Sequence, residues 1–156
     1  NTYLAVDEET NKGIIVDPGG YNKALTNAVA ENGTDIEYII ITHGHSDHIC
    51  GVNEHKEEFP NAKVVAYKDE EPMLLSPDMN QSIAFGQPYT VKADILVSDG
   101  DELDFGNLTM KFMHTPGHTK GGMCIYIEKA NVLFSGDTLF CQSIGRTDFP
   151  GGSYAR

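Results

Sequence analysis

The sequence predicts an α/β fold of two mixed sheets packed together, with helices on the outside. Three observations carry this expectation. Helical and strand-like segments alternate in the first half, short strands separated by turn residues dominate the second, and IEYIIIT at 36–42 is a continuous apolar run of the kind buried on both faces. No linker, repeat or low-complexity tract divides the chain, and 40% hydrophobic with 22% charged residues suits one core, so residues 1–156 are expected to form a single domain.

The elements follow in order. TYLAV (2–6) and GIIVD (13–17) are β-prone runs joined by the polar EETNK, which reads as a hairpin. Asn22 is placed to cap a helix reaching about Asn32, with Leu25, Ala28 and Val29 on one face and Gly33 as its stop. After the 36–42 strand, residues 47–59 suit a second helix with Ile49, Val52 and Phe59 inward. AKVVAY (62–67) reads as a strand, 69–75 as a short acidic-headed helix, and 76–93 as a loop lying over a site. ILVSD (95–99), ELDF (102–105), LTMKFMHT (108–115), MCIYIE (123–128) and NVLFSG (131–136) are read as strands, punctuated by DFGN and EKAN turns.

A formal charge of −12, with eleven scattered Lys and Arg and no basic patch, argues against nucleic acid or an anionic membrane surface as partner. Three widely spaced cysteines do not form a disulfide framework, which points to a reducing cytoplasm. No run of about twenty apolar residues is available to span a bilayer. Nothing in the composition indicates an oligomeric state.

The chemistry concentrates at strand ends. ITHGHSDHICG (41–51) follows one apolar strand, and residues two apart in extended backbone project to one side, so His43 and His45 can approach one ion. Asp47 and His48 fall at the start of the next helix, where a carboxylate is favoured by free N–H groups. HTPGHTKGG (114–122) supplies His114 and His118 in a turn after a strand, and FSGDTLF (134–140) places Asp137 just past another. Strand ends converging on one sheet edge make a rigid metal cradle. His114 is read as a packed turn residue, His55 as a helix-flank histidine, and Cys50 and Cys141 as packing rather than catalysis.

THGHSDH, HTPGHTKGG and SGDTLF, in this order and spacing, resemble the metallo-β-lactamase-fold superfamily, with its T-H-x-H-x-D-H signature, PGH turn and GD strand end. SIGRTDFPGG (143–152) is similar to its glyoxalase II-related branch. The resemblance implies a four-layer αβ/βα sandwich, here expected to lack the opening strand and the C-terminal strand and helix. It implies that His43, His45 and His118 hold one divalent ion, Asp47 and His48 a second, and that Asp137 bridges them, with a last histidine expected beyond Arg156. Zinc is the first choice of metal, with iron or manganese as alternatives.

Two ions about 3.5–4 Å apart share a water and generate hydroxide near neutral pH. The implied reaction is attack of metal-bound hydroxide on an acyl carbonyl, most readily that of a small-molecule acyl thioester, as in hydroxyacylglutathione hydrolase. Asp47 is the expected catalytic residue, orienting the nucleophile or carrying its proton. Arg146 and Asp148 either line the substrate mouth, the arginine offering its fork to a carboxylate, or pair with each other. The helical C-terminal region with which glyoxalase II grips glutathione has no counterpart in the sequence, so the substrate stays open. The alternatives are a mononuclear non-haem iron persulfide dioxygenase and an inactive metal-binding module. A lactamase is less expected, because cysteine stands at the Asp137 position in the best-known lactam-cleaving branch. A nuclease is disfavoured by the acidic surface.

Overall fold

The hairpin at the start of the chain forms as its composition demands. In the computed structural model, which describes residues 1–155, β1 (Tyr3–Asp7) pairs antiparallel with β2 (Lys12–Val16). The Asp7 carboxylate holds the turn by accepting from the Thr10 hydroxyl at 2.6 Å. Asn22 caps α1 (Lys23–Asn32), its side chain accepting from Leu25 N–H at 3.1 Å, and the helix ends at Gly33 as the sequence predicts. β3 (Asp35–Ile40) then runs parallel to β2. A bulge leaves Glu37 without a partner on β2 and resets the phase of the strand, so that Ile39 and Ile41 face one side while Tyr38 and Ile40 face the other.

The helix expected over 47–59 is two helices. α2 (Ser46–Ile49) and α3 (Val52–Glu58) are separated at Cys50–Gly51. The break has a tertiary cause: Gly51 N–H donates to Pro18 O at 2.7 Å, which brings two backbones into contact and re-aims the chain. β4 (Lys63–Tyr67) and the short α4 (Glu71–Leu74) follow as predicted. The 76–93 loop contains a 3₁₀ turn at Ser82–Phe85, and Asn80 within it is fully buried, its carbonyl accepting from Ser46 N–H at the head of α2.

β5 (Ile95–Val97) is shorter than its expected run and joins the first sheet beside β4 rather than the second, giving the order β1-β2-β3-β4-β5. β6 (Glu102–Phe105), β7 (Leu108–His114), β8 (Met123–Ile127) and β9 (Val132–Phe134) make the second sheet. Its pairings are all antiparallel, so only the first sheet is mixed. A small hairpin of β10 (Leu139–Phe140) and β11 (Ser143–Ile144) was not predicted, since two-residue strands carry no periodicity.

Two cores result. Ile15, Ile39, Ile41 and Val64 on the outer face of the first sheet pack with Leu25 and Val29 of α1, Ile49 of α2, Val52 of α3 and Leu74 of α4. On its inner face Ile14, Val16, Ile40 and Val65 meet Phe105, Met110, Phe112 and Ile125 of the second sheet. Each fully buried side chain of this size contributes roughly 1.5–3 kcal/mol relative to exposure. The parallel β2, β3 and β4 all end at one edge, where Thr42 O accepts from Met123 N–H at 3.0 Å and ties the sheets together. Among the described residues no helix is long and apolar enough to cross a membrane.

Candidate metal centre

That shared edge gathers the histidines. His43 follows β3 and His45 sits in extended backbone (φ −68°, ψ 148°) just before α2. The two rings stand 4.9 Å apart and nearly perpendicular, both buried. α2 turns His48 beneath them, with its ring 4.1 Å from that of His43. The loop after β7 delivers His118, and the turn after β9 delivers Asp137.

Their donor atoms fall into two groups, His43–His45–His118 and His43–His48–Asp137, with all the atoms of a group within 4.8 Å of one another. Asp137 faces both: Oδ1 lies 3.3 Å from His48 Nε2 and Oδ2 lies 3.5 Å from His118 Nε2. His45 Nδ1 lies 2.9 Å from His118 Nε2. Asp47 stands at the rim, its side chain 73% exposed and its Oδ2 3.6 Å from His48 Nε2. Five of the six residues that the sequence singled out as metal ligands fall in these groups; Asp47 belongs to neither and lies at the rim beside His48.

The far sides of the rings set their tautomers. His118 Nδ1–H donates to Arg146 O at 2.7 Å, and His48 Nδ1–H donates to Asp17 Oδ2 at 2.8 Å. A proton held on Nδ1 leaves Nε2 with a free lone pair, the form that binds a cation. His43 Nε2 and His45 Nε2 are buried with no hydrogen-bond partner. Buried polar atoms without partners are costly, and a coordinated cation between these rings removes the penalty at His43. The donor set of imidazoles and a carboxylate thus fits a divalent metal ion.

At His43 and His45 the electrostatics agree, while His48, charged in the absence of metal, gives up its Nε2 proton to bind an ion. Burial, followed by the neighbouring His48, His45 and His118, holds His43 well below its ordinary value. Burial and His118 push His45 down to about 4, so both rings are neutral at pH 7. At His48 burial works against the charged form, but hydrogen bonds with Asp137 and Asp17 and the charges of Asp17 and Asp47 outweigh it and raise the pKa to about 10. Burial raises Asp137, but its hydrogen bond and charge interaction with His48 win and hold it below the usual carboxylate range.

Asp17 escaped the sequence reading. It is buried, holds a left-handed φ of 50°, and accepts from Thr42 N–H at 2.7 Å and Thr42 Oγ1–H at 2.6 Å as well as from His48. A non-glycine residue in that conformation costs of order 1–3 kcal/mol and persists where its surroundings over-determine it. Its signal was present: an acid at the exit of an apolar strand, the pattern that singled out Asp137.

Arg146 and Asp148 pair with each other through Nε–Oδ1 at 2.9 Å and Nη2–Oδ2 at 2.8 Å. The guanidinium also stacks over Phe149, whose ring meets His45 and His118 edge-on at 5.3 and 5.9 Å. His114 lies outside both ligand groups, stacked on Tyr67 at 4.2 Å. His55 is fully buried rather than on a helix flank, with Nδ1 donating to Gly51 O. All three cysteines are free.

The family model described as metallo-beta-lactamase superfamily matches residues 1–156. The chain belongs to the metallo-β-lactamase superfamily. Among curated relatives in that superfamily, a hydroxyacylglutathione hydrolase of Francisella philomiragia is 38% identical over 92% of this chain and 48% of its own length. The probable metallo-hydrolase YqgX of Bacillus subtilis is 33% identical over 98% of the chain and 72% of its own. The BLEG-1 B3 metallo-β-lactamase superposes with a TM-score of 0.90 at 37% identity, covering 99% of this chain and 75% of that one. TTHA1623, solved in a di-iron-bound form, superposes with a TM-score of 0.80 at 28% identity, covering 97% and 74%. Superfamily membership and the histidine-rich cluster together indicate divalent metal binding.

Proposed function

We propose that this chain carries the catalytic core of a metal-dependent hydrolase that cleaves the acyl bond of a small-molecule thioester. The observation that carries the reading is Asp137, whose two oxygens face two histidine groups sharing His43. In this reading His43, His45 and His118 hold one ion, His48 and Asp47 a second, and Asp137 spans both. When bound, such ions supply an activated water at neutral pH and polarise a carbonyl. Zinc suits the donors, and iron or manganese would serve the same set.

The chain's own residues do the rest. Asp17 and Arg146 O keep protons on the outer nitrogens of His48 and His118, and Phe149 shields the inner rings from solvent. Asp47, exposed and next to His48, orients the attacking water and carries its proton outward. A thiolate departs without much help, so one carboxylate suffices. Cavities of about 470 and 330 Å³ meet at Asp137 and offer room for a substrate on both sides. Arg146 and Asp148 stand exposed at the rim of the site, where a substrate carboxylate would compete with Asp148 for the guanidinium.

The name of the Francisella relative supports the thioester, and that of YqgX supports hydrolysis. Elemental analysis with a panel of thioester, lactam, lactone and persulfide substrates tests the reading. About two metal equivalents with thioester turnover are expected. Preference for a β-lactam, the substrate class from which the BLEG-1 enzyme takes its name, would overturn the substrate and leave the metal chemistry standing. A second reading, oxygenation of a persulfide by one iron, has its own observation: His118 Nε2 lies 2.9 Å from His45 Nδ1 and 3.5 Å from Asp137 Oδ2, two imidazoles and one carboxylate of the types that make a facial iron site. One iron equivalent and oxygen uptake would select it.

A further inference from the structure

The short helix expected over 69–75 is acidic at its head, yet one of those acids is not in solvent. Glu70 is 1% exposed. It belongs to neither ligand group. Its Oε1 accepts from Gly44 N–H at 2.8 Å and its Oε2 from Gly121 N–H at 2.7 Å. Gly44 stands between His43 and His45, and Gly121 lies three residues past His118. One carboxylate therefore grips the backbones of both loops that deliver the His43–His45–His118 group. The approach is close: a Cβ at Gly121 would collide with the backbone N and the Oε2 of Glu70, so only glycine admits the contact. Glu70 closes the 3₁₀ turn (Lys68–Glu70) that directly follows β4, so both loops are referred to one buried point.

The geometry points to Glu70 as a positioning residue that sets the spacing between the His43–His45 loop and the His118 loop, and thereby the affinity and geometry of the metal site. The inference rests on the metal reading proposed above. A carboxylate is the group this bridge requires, because both amides are donors and both must meet an acceptor. Glutamine offers one acceptor and turns an NH₂ group against the other N–H. Aspartate keeps the charge but is one methylene short of reaching both loops.

The test compares wild type, Glu70→Gln, Glu70→Asp and Met110→Ala by titration with cobalt(II) against a chromophoric chelator, alongside thermal melting. Met110 is fully buried between the sheets, away from the loops, and controls for general loss of stability. Both Glu70 variants are expected to lose about tenfold or more in cobalt affinity, the scale of outer-shell partners, and to show an altered cobalt absorption spectrum. Met110→Ala is expected to melt earlier with affinity and spectrum unchanged. Wild-type cobalt affinity and spectrum in whichever Glu70 variant folds would overturn the positioning role and leave the metal reading intact. Failure of the wild-type protein to take up cobalt would overturn the metal reading and this inference with it.

Discussion

At Asp17 one buried carboxylate answers three donors, and the orientation of His48 depends on it. Asp17→Ala strands the Thr42 N–H and the outer nitrogen of His48, at about 1–3 kcal/mol for each orphaned group. The expected outcome is a melting temperature lower by roughly 4–24 °C for a chain of this size, read by calorimetry, together with weaker metal binding. An unchanged melting temperature would remove Asp17 from the site's support. The titrating histidines set a second expectation for metal-free protein. His43 and His45 are depressed from 6.5, so the unfolded chain takes up protons that the folded one refuses, and stability falls as pH drops from 6.5 toward 4. His48 is raised from 6.5 to about 10, so its contribution is complete below 6.5 and is lost as pH rises through 10. Chelator-treated protein should therefore melt highest near pH 6.5 when scanned from pH 4 to 10; a monotonic rise across that range would exclude these shifts. The ligand residues were legible because their spacing is local to three short motifs. Asp17 carried the same strand-exit mark as Asp137 but stands in no histidine motif, and Glu70 carried none, because its partners lie 26 and 51 positions away.

The two-helix segment after β3 shows what element-level patterning sees and what it misses. Ile49, Val52 and Phe59 correctly mark the buried face, while the break between α2 and α3 comes from contact with a distant turn. A methyl at Gly51 would collide with the Gly20 carbonyl and sit 2.8 Å from Pro18 O. Gly51→Ala is expected to destabilise by about 1–3 kcal/mol through overpacking, measured by urea unfolding. A change within about 0.5 kcal/mol, usual for a surface site, would mean that the two backbones separate freely. The hairpin, α1, β3, β4 and β6 to β9 were readable from periodicity and caps. The sheet that β5 joins was not, because ILVSD carries no mark of its partner. Nor was the β10–β11 hairpin, whose strands are too short to show a pattern.

Across the whole molecule, two apolar layers hold five strand ends at one edge, and the charged and imidazole groups there gain their arrangement from that scaffold. An ion bound only by the folded state stabilises it by mass action, about 4 kcal/mol at a thousandfold excess over the dissociation constant. Stripping the protein with a chelator should lower its melting temperature by roughly 8–16 °C, and restoring zinc should recover it. An identical melting temperature with and without metal would mean that the cluster holds no ion tightly. The overall charge of −12 adds long-range attraction for the cation, so uptake should slow as salt is raised. The most direct measurement is anomalous diffraction at the zinc edge from crystals grown with zinc. A peak bounded by His43, His45 and His118, with a second toward His48 and Asp137, is the expected map. Well-ordered imidazoles with no anomalous density between them would rule out a metal centre at this edge.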